Sequence, residues 1–161
     1  MFRRLFFPYN VLYGDEIRLV LRERTLRDRS LGIRENLTYD IFPLTDDTYM
    51  GYVSLRVGES PEIYYLGHIG YRVEEPFRGH GYAGQAVRAM LPVIRSFGFQ
   101  TLTITTDKDN LPSRKTCEQL GCVLENIVPV PYKYRPLCMN SPAKCRYILI
   151  ADEFDAERIN K

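Results

Sequence analysis

A glycine-rich turn between a predicted strand and a predicted helix constrains the fold of this chain more than any other feature. The turn reads Arg-Gly-His-Gly-Tyr-Ala-Gly at residues 78–84. The strand before it ends near Val73, and Pro76 then breaks the chain, because proline disfavours the helical region for the residue before it. From Tyr82 to Ile94, apolar residues recur at helical spacing. The sequence therefore predicts a strand, a tight turn and a helix in succession.

Such a turn is expected to bind an anion. Glycines let the backbone approach a ligand closely, and the unpaired N–H groups of the first helical turn point toward that ligand. The positive end of the helix dipole adds to the attraction. We therefore expect the turn to bind a phosphate or a pyrophosphate group.

One candidate ligand is a dinucleotide. Gly79-His-Gly-Tyr-Ala-Gly84 matches the G-x-G-x-x-G pattern, and Asp107 follows a strand-like segment about 20 residues later. However, the first glycine does not directly follow a buried strand, and the upstream strands look like antiparallel hairpins. A dinucleotide domain also needs several β-α-β units, whereas this chain shows one. A nicotinamide-cofactor domain is therefore the weaker interpretation.

The same residues resemble more closely the pyrophosphate-binding signature of the GNAT superfamily of acyl-CoA-dependent N-acyltransferases, (Gln/Arg)-x-x-Gly-x-(Gly/Ala). The matching stretch is Arg78-Gly-His-Gly81-Tyr-Ala83, preceded by the pair Pro76-Phe77. A second motif, Asn110-Leu-Pro-Ser113, follows after a helix and a strand, in the order that the family shows. The resemblance covers residues 50–125 well and the rest of the chain loosely.

This resemblance implies an α+β fold of the GNAT type, with a mixed, mostly antiparallel sheet of six or seven strands and helices on its faces. We expect one domain over residues 1–161 with a core at about 16–151. The first predicted helix begins at residue 82 and is ended by Gly98. The second begins at residue 113 and ends near residue 120. The predicted strands cover residues 16–24, 37–44, 49–57, 62–73, 100–106, 123–130 and 144–151.

The acceptor side departs from the family pattern. Members usually place one or two helices between the first and second strands, and these wall the acceptor pocket. Here residues 24 and 37 are separated by about a dozen residues without a helical period. The wall could come from the aromatic arm at residues 2–10, the loop at 130–142 or a partner in a homodimer.

The resemblance also implies which residues bind acetyl-CoA as the acyl-donor cosubstrate. The backbone of Tyr71, Arg72 and Val73 is expected to hold the pantetheine arm and face the thioester. Asn110 and Ser113 are expected to contact the cosubstrate from the second motif. The main-chain amides of the turn are expected to hold the pyrophosphate. These are the amides of Arg78, Gly79, His80, Gly81, Tyr82, Ala83 and Gly84. The Arg78 side chain either adds charge or caps the turn, and His80 is expected to be exposed.

Acyl transfer to an amine requires a proton to leave the amine and a proton to reach the leaving thiolate. Glu62 and His68, both on the predicted fourth strand, are candidate bases, although a hydrogen-bonded structural histidine is the alternative for His68. Many family members carry a tyrosine acid four residues after the serine of the second motif. This chain has Cys117 there, which is either a thiol acid or a buried packing residue. Some branches lack the tyrosine, including the ribosomal-protein N-acetyltransferases that the chain loosely resembles, and water or the substrate then supplies the proton.

Composition limits the partners. The formal charge of +2 gives no basic excess that would favour nucleic acid. Four cysteines without a C-x-x-C pair and two histidines give little support to a metal site, so we expect none. The sequence predicts neither a signal peptide nor a membrane span, and we expect a cytoplasmic protein with reduced thiols.

Together these features predict an N-acetyltransferase. It would move an acetyl group from acetyl-CoA to a primary amine, on a small molecule or a peptide N-terminus, by direct attack in a ternary complex. The alternative is a non-catalytic acyl-CoA-binding module, because Cys117 replaces the common acid and the acceptor wall is short.

Overall fold

An eight-stranded mixed sheet forms the centre of the computed structural model, which describes residues 7–152. The strands are β1 (Val11–Tyr13), β2 (Ile17–Asp28), β3 (Ile33–Pro43), β4 (Gly51–Gly58), β5 (Ile69–Val73), β6 (Thr101–Asp107), β7 (Val123–Pro129) and β8 (Ala143–Ile150). The helices are α1 (Pro61–Leu66), α2 (Tyr82–Ala89), α3 (Leu91–Ser96) and α4 (Leu111–Gln119), with 3-10 segments at Glu75–Phe77 and Tyr132–Cys138. In space the strands follow the order β1-β2-β3-β4-β5-β6-β8-β7.

The sheet has two different faces because side chains alternate along each strand. On the face that we call the core face, Tyr39 and Val53 are fully buried and lie in one cross-strand row with Tyr71. This face packs on Ala86 and Val87 of α2 in the main hydrophobic core. The amphipathic α2 therefore holds the glycine turn against the end of β5.

The opposite face, called the second face below, is covered by α1 and the Tyr132–Cys138 segment over the β6 side of the sheet. The Thr105 hydroxyl of β6 donates to the carbonyl oxygen of Tyr65 on α1 at 2.9 Å. The rings of Tyr65 and Tyr134 stack with their centroids 5.2 Å apart. These contacts fix α1 between the sheet and the Tyr132–Cys138 segment.

A gap opens in the sheet between β5 and β6. The two strands are parallel neighbours, yet they pair at one position, Ile69 with Ile104. Beyond that position β5 stays paired with β4 as far as Val73, and β6 stays paired with β8 as far as Asp107. We call the gap between residues 70–73 and residues 105–107 the wedge.

The predicted fold class is confirmed, with one strand more than the predicted range. The additional strand is β1, three residues that pair antiparallel with β2. No helix interrupts β2 and β3, as predicted, although both strands run further than predicted and leave only residues 29–32 between them. The long β2–β3 hairpin occupies the stretch in which the family that the motifs resemble usually has helices.

Two predicted elements differ from the structure, and in the first of them local helix signals outweigh side-chain alternation. The predicted strand at residues 62–73 begins as helix α1, since Ser60 accepts a hydrogen bond from the Ile63 amide at 3.0 Å and Pro61 occupies the first turn. Gly67, with φ of 82°, ends that helix, so the strand starts only at Ile69. The predicted helix from residue 82 is divided into α2 and α3 near Met90.

The first part of the predicted aromatic arm at residues 2–10 lies outside the described residues, and so do residues 153–161. Among the helices of residues 7–152, none is long and apolar enough to cross a membrane.

Candidate functional site

Main-chain groups of β5 line the wedge. The Arg56 amide donates to His68 O at 2.7 Å, and the Glu74 amide donates to Met50 O at 2.8 Å. In an antiparallel pair such bonds recur at every second residue, so the even-numbered residues of β5 direct their N–H and C=O groups to β4. The odd-numbered residues point toward β6, which pairs only at Ile69. The main-chain groups of Tyr71 and Val73 therefore face the wedge.

The same register separates the three predicted pantetheine contacts. Tyr71 and Val73 face the wedge, whereas the main chain of Arg72 is directed to Tyr52 of β4. The exposed Arg72 side chain lies on the second face, with Nε 3.7 Å from Glu74 Oε1. Of the three residues, two are placed to offer main-chain groups to a ligand in the wedge.

The glycine turn presents free amides at the wide end of the wedge. Gly79 and Gly81 have φ of 85° and 75°, the left-handed region that glycine adopts without strain. The first helical bond of α2 runs from the Gln85 amide to Gly81 O at 3.1 Å, and no side chain caps this helix. The amides of residues 82–84 therefore have no acceptor within the helix. A Cβ added at Gly79 or Gly81 would meet no atom within 4 Å, so the space beside these amides is open.

Two side chains of the turn have different roles. Arg78 Nε donates to Val73 O at 2.8 Å and so ties the turn to the end of β5. This contact supports the capping role for Arg78. His80 is exposed, with its ring 5.5 Å from the Tyr82 ring.

The second motif begins α4 beside the wedge. Asn110 Oδ1 accepts from the Ser113 amide at 3.2 Å and caps the helix, and Pro112 lies in its first turn. Ser113 Oγ lies 2.8 Å from the Tyr71 hydroxyl. The motif therefore has a structural function in capping and also places a hydroxyl next to β5.

The Tyr71 side chain bridges β5 and α4. Its hydroxyl lies 2.8 Å from Ser113 Oγ and 3.9 Å from Cys117 Sγ. Burial raises the pKa of Tyr71 above its usual value, so the phenol stays neutral at physiological pH. Sequence analysis predicted a role for the Tyr71 backbone alone and missed this side chain.

Cys117 is fully buried in the last turn of α4. The Cys122 amide donates to Cys117 O and the Gly121 amide donates to Glu118 O, both at 3.0 Å, which is the Schellman pattern of a helix end. This pattern brings the two cysteine side chains together. The hydrogen bond from the Cys122 thiol holds the pKa of Cys117 below the usual value of a thiol, and the same contact raises that of Cys122.

The two predicted bases lie away from the wide end of the wedge. His68 precedes the paired position and is buried, with Nδ1 accepting from the Thr103 amide at 3.0 Å. Its Nε2 lies 2.8 Å from Glu59 Oε1 and 3.2 Å from Gly58 O. A base function would require one of these bonds to break. Glu62 lies in the first turn of α1 and not on a strand.

An open cavity of about 470 Å³ lies on the second face between α1 and the Tyr132–Cys138 segment. It is lined by Ser60, Pro61, Tyr64, Tyr65, Lys133 and Tyr134. Of the three predicted sources of an acceptor wall, the loop at residues 130–142 is the one that packs against α1. No group of three or more potential metal ligands is found in the described part of the chain.

The family model of the GNAT acetyltransferase domain matches residues 16–123. The chain belongs to this family. The match includes the glycine turn, the wedge and the second motif, and it confirms the family that the two motifs predict. No curated protein matches the sequence significantly.

Solved structures with the same fold include three acetyltransferases of low sequence identity. The microcin C7 self-immunity acetyltransferase MccE, in complex with acetyl-CoA and AMP, has a TM-score of 0.55 and 21% identity over 71% of this chain and 61% of its own. The ribosomal-protein-S5-alanine acetyltransferase of Vibrio fischeri has a TM-score of 0.57 and 18% identity over 73% and 62%. RimL, a ribosomal L7/L12 alpha-N-protein acetyltransferase, has a TM-score of 0.59 and 14% identity over 87% and 93%. This chain thus spans about six-tenths of the first two proteins.

Proposed function

We propose that this GNAT family member is an N-acetyltransferase that moves an acetyl group from acetyl-CoA to a primary amine. The observation that carries the proposal is the wedge, where the main-chain groups of Tyr71 and Val73 have no strand partner. It lies next to the uncapped amides of α2. A peptide-like arm that ends in a pyrophosphate fits this combination of groups.

The residues present fit acetyl-CoA on independent grounds. Open space next to Gly79 and Gly81 leaves room for phosphate groups beside the amides of residues 82–84. Thr106 Oγ1, on β6 beyond the paired position, is buried without a hydrogen-bond partner. Buried polar groups are normally hydrogen-bonded, so an orphaned hydroxyl at the wedge is consistent with a site built for a polar ligand.

Acetyl-CoA would supply an acetyl group activated as a thioester. The amides of residues 82–84 would hold its pyrophosphate, and the main chain of Tyr71 and Val73 would hold and orient its pantetheine arm. Orientation of two bound reactants supplies much of the rate enhancement in such a transfer. In the proposed ternary complex, the amine nitrogen forms the new C–N bond while the C–S bond breaks.

Two proton transfers complete the reaction. One proton leaves the amine, for which Glu62, His68 or water stays the predicted base, and one reaches the thiolate. Cys117 is the predicted acid for the second transfer. We propose the Tyr71 hydroxyl as a second candidate donor, because it lies 2.8 Å from Ser113 Oγ of the second motif, whereas the Cys117 side chain is fully buried.

The acceptor is proposed to be a small-molecule amine or a peptide N-terminus. Family neighbours that act on ribosomal proteins support the peptide. MccE, a microcin C7 self-immunity acetyltransferase crystallised with acetyl-CoA and AMP, supports the small-molecule acceptor. Cytoplasmic location and homodimerisation stay predictions.

The experiment that tests this function combines calorimetric titration with turnover. Wild-type protein is titrated with acetyl-CoA and with NAD, and thiol release is then followed over a panel of amines and peptides. We expect acetyl-CoA to bind with micromolar affinity, NAD not to bind, and at least one amine to accelerate thiol release. Binding without turnover would support the non-catalytic acyl-CoA-binding module, and tighter binding of NAD would contradict the cosubstrate assignment.

A further inference from the structure

Arg56 lies flat against β5 on the second face of the sheet. A Cβ added at Gly70 would lie 3.0 Å from Arg56 Nη2 and 3.3 Å from Nη1, so a larger residue there would push the guanidinium from its present position. Gly70 immediately precedes Tyr71, whose main chain faces the wedge. The guanidinium is therefore next to the place where an acceptor on the second face would meet a thioester in the wedge.

This guanidinium has no carboxylate partner among residues 7–152. Arg56 Nη1 donates to Gly67 O at 3.1 Å, and none of the described carboxylates lies within the 4.0 Å of an ion pair. Five other strand arginines have a carboxylate within that distance, namely Arg18, Arg22, Arg24, Arg72 and Arg146. The strand arginines outside this set, Arg27 and Arg34, are exposed to solvent. Arg56 differs from both groups, because it is partly buried and its guanidinium donates to a carbonyl oxygen within the described residues.

An arginine in this position is costly for a protein without a ligand. Burial lowers the pKa of Arg56, although a guanidinium stays protonated at neutral pH. A largely desolvated charge destabilises the folded state unless an opposite charge compensates it. Glu74 and Asp40 do not supply one, since Glu74 Oε1 lies 3.7 Å from Arg72 Nε and Asp40 Oδ1 lies 3.0 Å from Arg22 Nη1.

We propose that Arg56 binds a carboxylate of the acceptor, which makes the substrate class a primary amine with a carboxylate a few bonds from the nitrogen. The proposal rests on the proposed acetyl transfer. Successive residues of a strand are about 3.3 Å apart, so the guanidinium over Gly70 lies about one residue from Tyr71. A carboxylate two to four bonds from an amine spans a similar distance. Free amino acids and peptides with an acidic first residue both meet this requirement.

The test measures the binding of acetylated products, so it does not require that the protein catalyse the reaction. In the presence of CoA, the protein is titrated with N-acetylglycine against N-acetylglycinamide, and with an N-acetyl-Asp peptide amide against its N-acetyl-Asn counterpart. We expect the carboxylate member of at least one pair to bind about tenfold more tightly, as for a charge-assisted hydrogen bond. The first pair represents a free amino acid and the second an acidic peptide N-terminus, so the pair that responds identifies the source.

Variants of Arg56 test whether its positive charge causes the carboxylate preference. Arg56→Met is expected to reduce the ratio within the responding pair to about one, and Arg56→Lys to keep part of it, because a charge–carboxylate pair is retained. Arg34→Met, at an exposed arginine of β3, serves as the matched control and should leave the ratio unchanged. CoA affinity and thermal unfolding are measured for each variant to confirm that it is folded.

The outcomes distinguish this proposal from the proposed function. Equal binding within both pairs of the wild-type protein would overturn the carboxylate site, and so would a preference that persists in Arg56→Met. If Arg56→Met fails to fold, the affinity ratio within each pair, measured for the wild-type protein and for Arg56→Lys, still tests the carboxylate site. A carboxylate preference with no acetyl transfer to any amine would contradict the proposed function and leave the site supported. Acetyl transfer without a carboxylate preference would support the proposed function and contradict the carboxylate site.

Discussion

On one side of the wedge the polar groups offered to a ligand belong to the main chain, and on the other side they belong to side chains. The cosubstrate side consists of the β5 edge, the glycine turn and the start of α4. It offers amides of Tyr71, Val73 and residues 82–84. The acceptor side consists of the second face with α1 and the Tyr132–Cys138 segment. It offers Arg56 and a group of tyrosine rings.

This difference bears on what each side can do. Main-chain amides recognise a phosphate or an amide arm whatever the side chains are, so a cosubstrate site built from them tolerates wide divergence of sequence. Side chains carry the specificity for an acceptor, and this chain has no helix between β2 and β3. We therefore expect substitutions on the two sides to affect different steps of binding and turnover.

The largest expected effect is on the cosubstrate side, at Gly81. Its φ of 75° is in the left-handed region, which Asn and Asp tolerate better than other residues, so Gly81→Asp and Gly81→Asn are similarly strained. Only aspartate places a negative charge beside the proposed pyrophosphate site, and we expect it to weaken acetyl-CoA binding about 100-fold. Gly81→Asn, the matched control, should weaken it only a few-fold. Calorimetry decides, and equal losses in the two variants would argue against an anion at this turn.

The next largest effect concerns the proton for the leaving thiolate. Tyr71→Phe removes the hydroxyl and keeps the ring, so we expect kcat to fall about 100-fold, the range of a lost general acid, with little change in the Kd of acetyl-CoA. Cys117→Ala should reduce kcat much less, because its main effect is a small cavity in the core. A larger loss of kcat in Cys117→Ala than in Tyr71→Phe would instead support Cys117 as the general acid. Steady-state kinetics with a saturating amine measures both.

On the acceptor side, Tyr134→Ala is expected to raise the KM of the amine about 3- to 10-fold, the value of one aromatic pair, since it removes the ring that stacks on Tyr65. The Kd of acetyl-CoA should not change. Tyr132→Ala is the matched control, because its ring is 83% exposed in the same segment. A change in the Kd of acetyl-CoA in Tyr134→Ala would contradict the separation of cosubstrate and acceptor binding between the two sides.

The smallest effects are expected from two helix caps, one on each side. Ser60→Ala and Asn110→Ala each remove the side chain that caps a helix, and each should lower the free energy of unfolding by about 1 kcal/mol in urea titration. Asn110→Ala should also weaken acetyl-CoA a few-fold, because α4 borders the wedge. Ser60→Ala should leave acetyl-CoA binding unchanged and raise the KM of the amine. The same response from both variants would show that the sides are not independent.

The cosubstrate side could be predicted from the sequence because local rules determine it. Gly79 and Gly81 adopt the left-handed backbone that a turn of this kind requires, and Asn110 and Pro112 start α4 where the motif indicates. The wedge itself depends on the end of pairing between β5 and β6. It opens beyond Ile69, the residue of β5 that pairs with β6.

The acceptor side could not be predicted in the same way. The six-residue helix α1 depends on Ser60, Pro61 and Gly67, whose signals were outweighed in the sequence by an alternating pattern. Arg56 contacts Gly70 of the neighbouring strand, and on the cosubstrate side the Tyr71–Ser113 contact joins residues 42 positions apart. No periodicity along the chain reports such contacts, because they depend on strand register and on the splay of the sheet.

Amide hydrogen exchange with and without acetyl-CoA tests the central claim most directly, since that claim concerns individual main-chain groups. Without ligand, the amides of Gly70 and Arg72 should already be protected by their bonds to β4, whereas Tyr71 and Val73 should exchange faster. Acetyl-CoA should then protect Tyr71, Val73 and residues 82–84. Saturation with acetyl-CoA that leaves those amides unprotected would contradict the account.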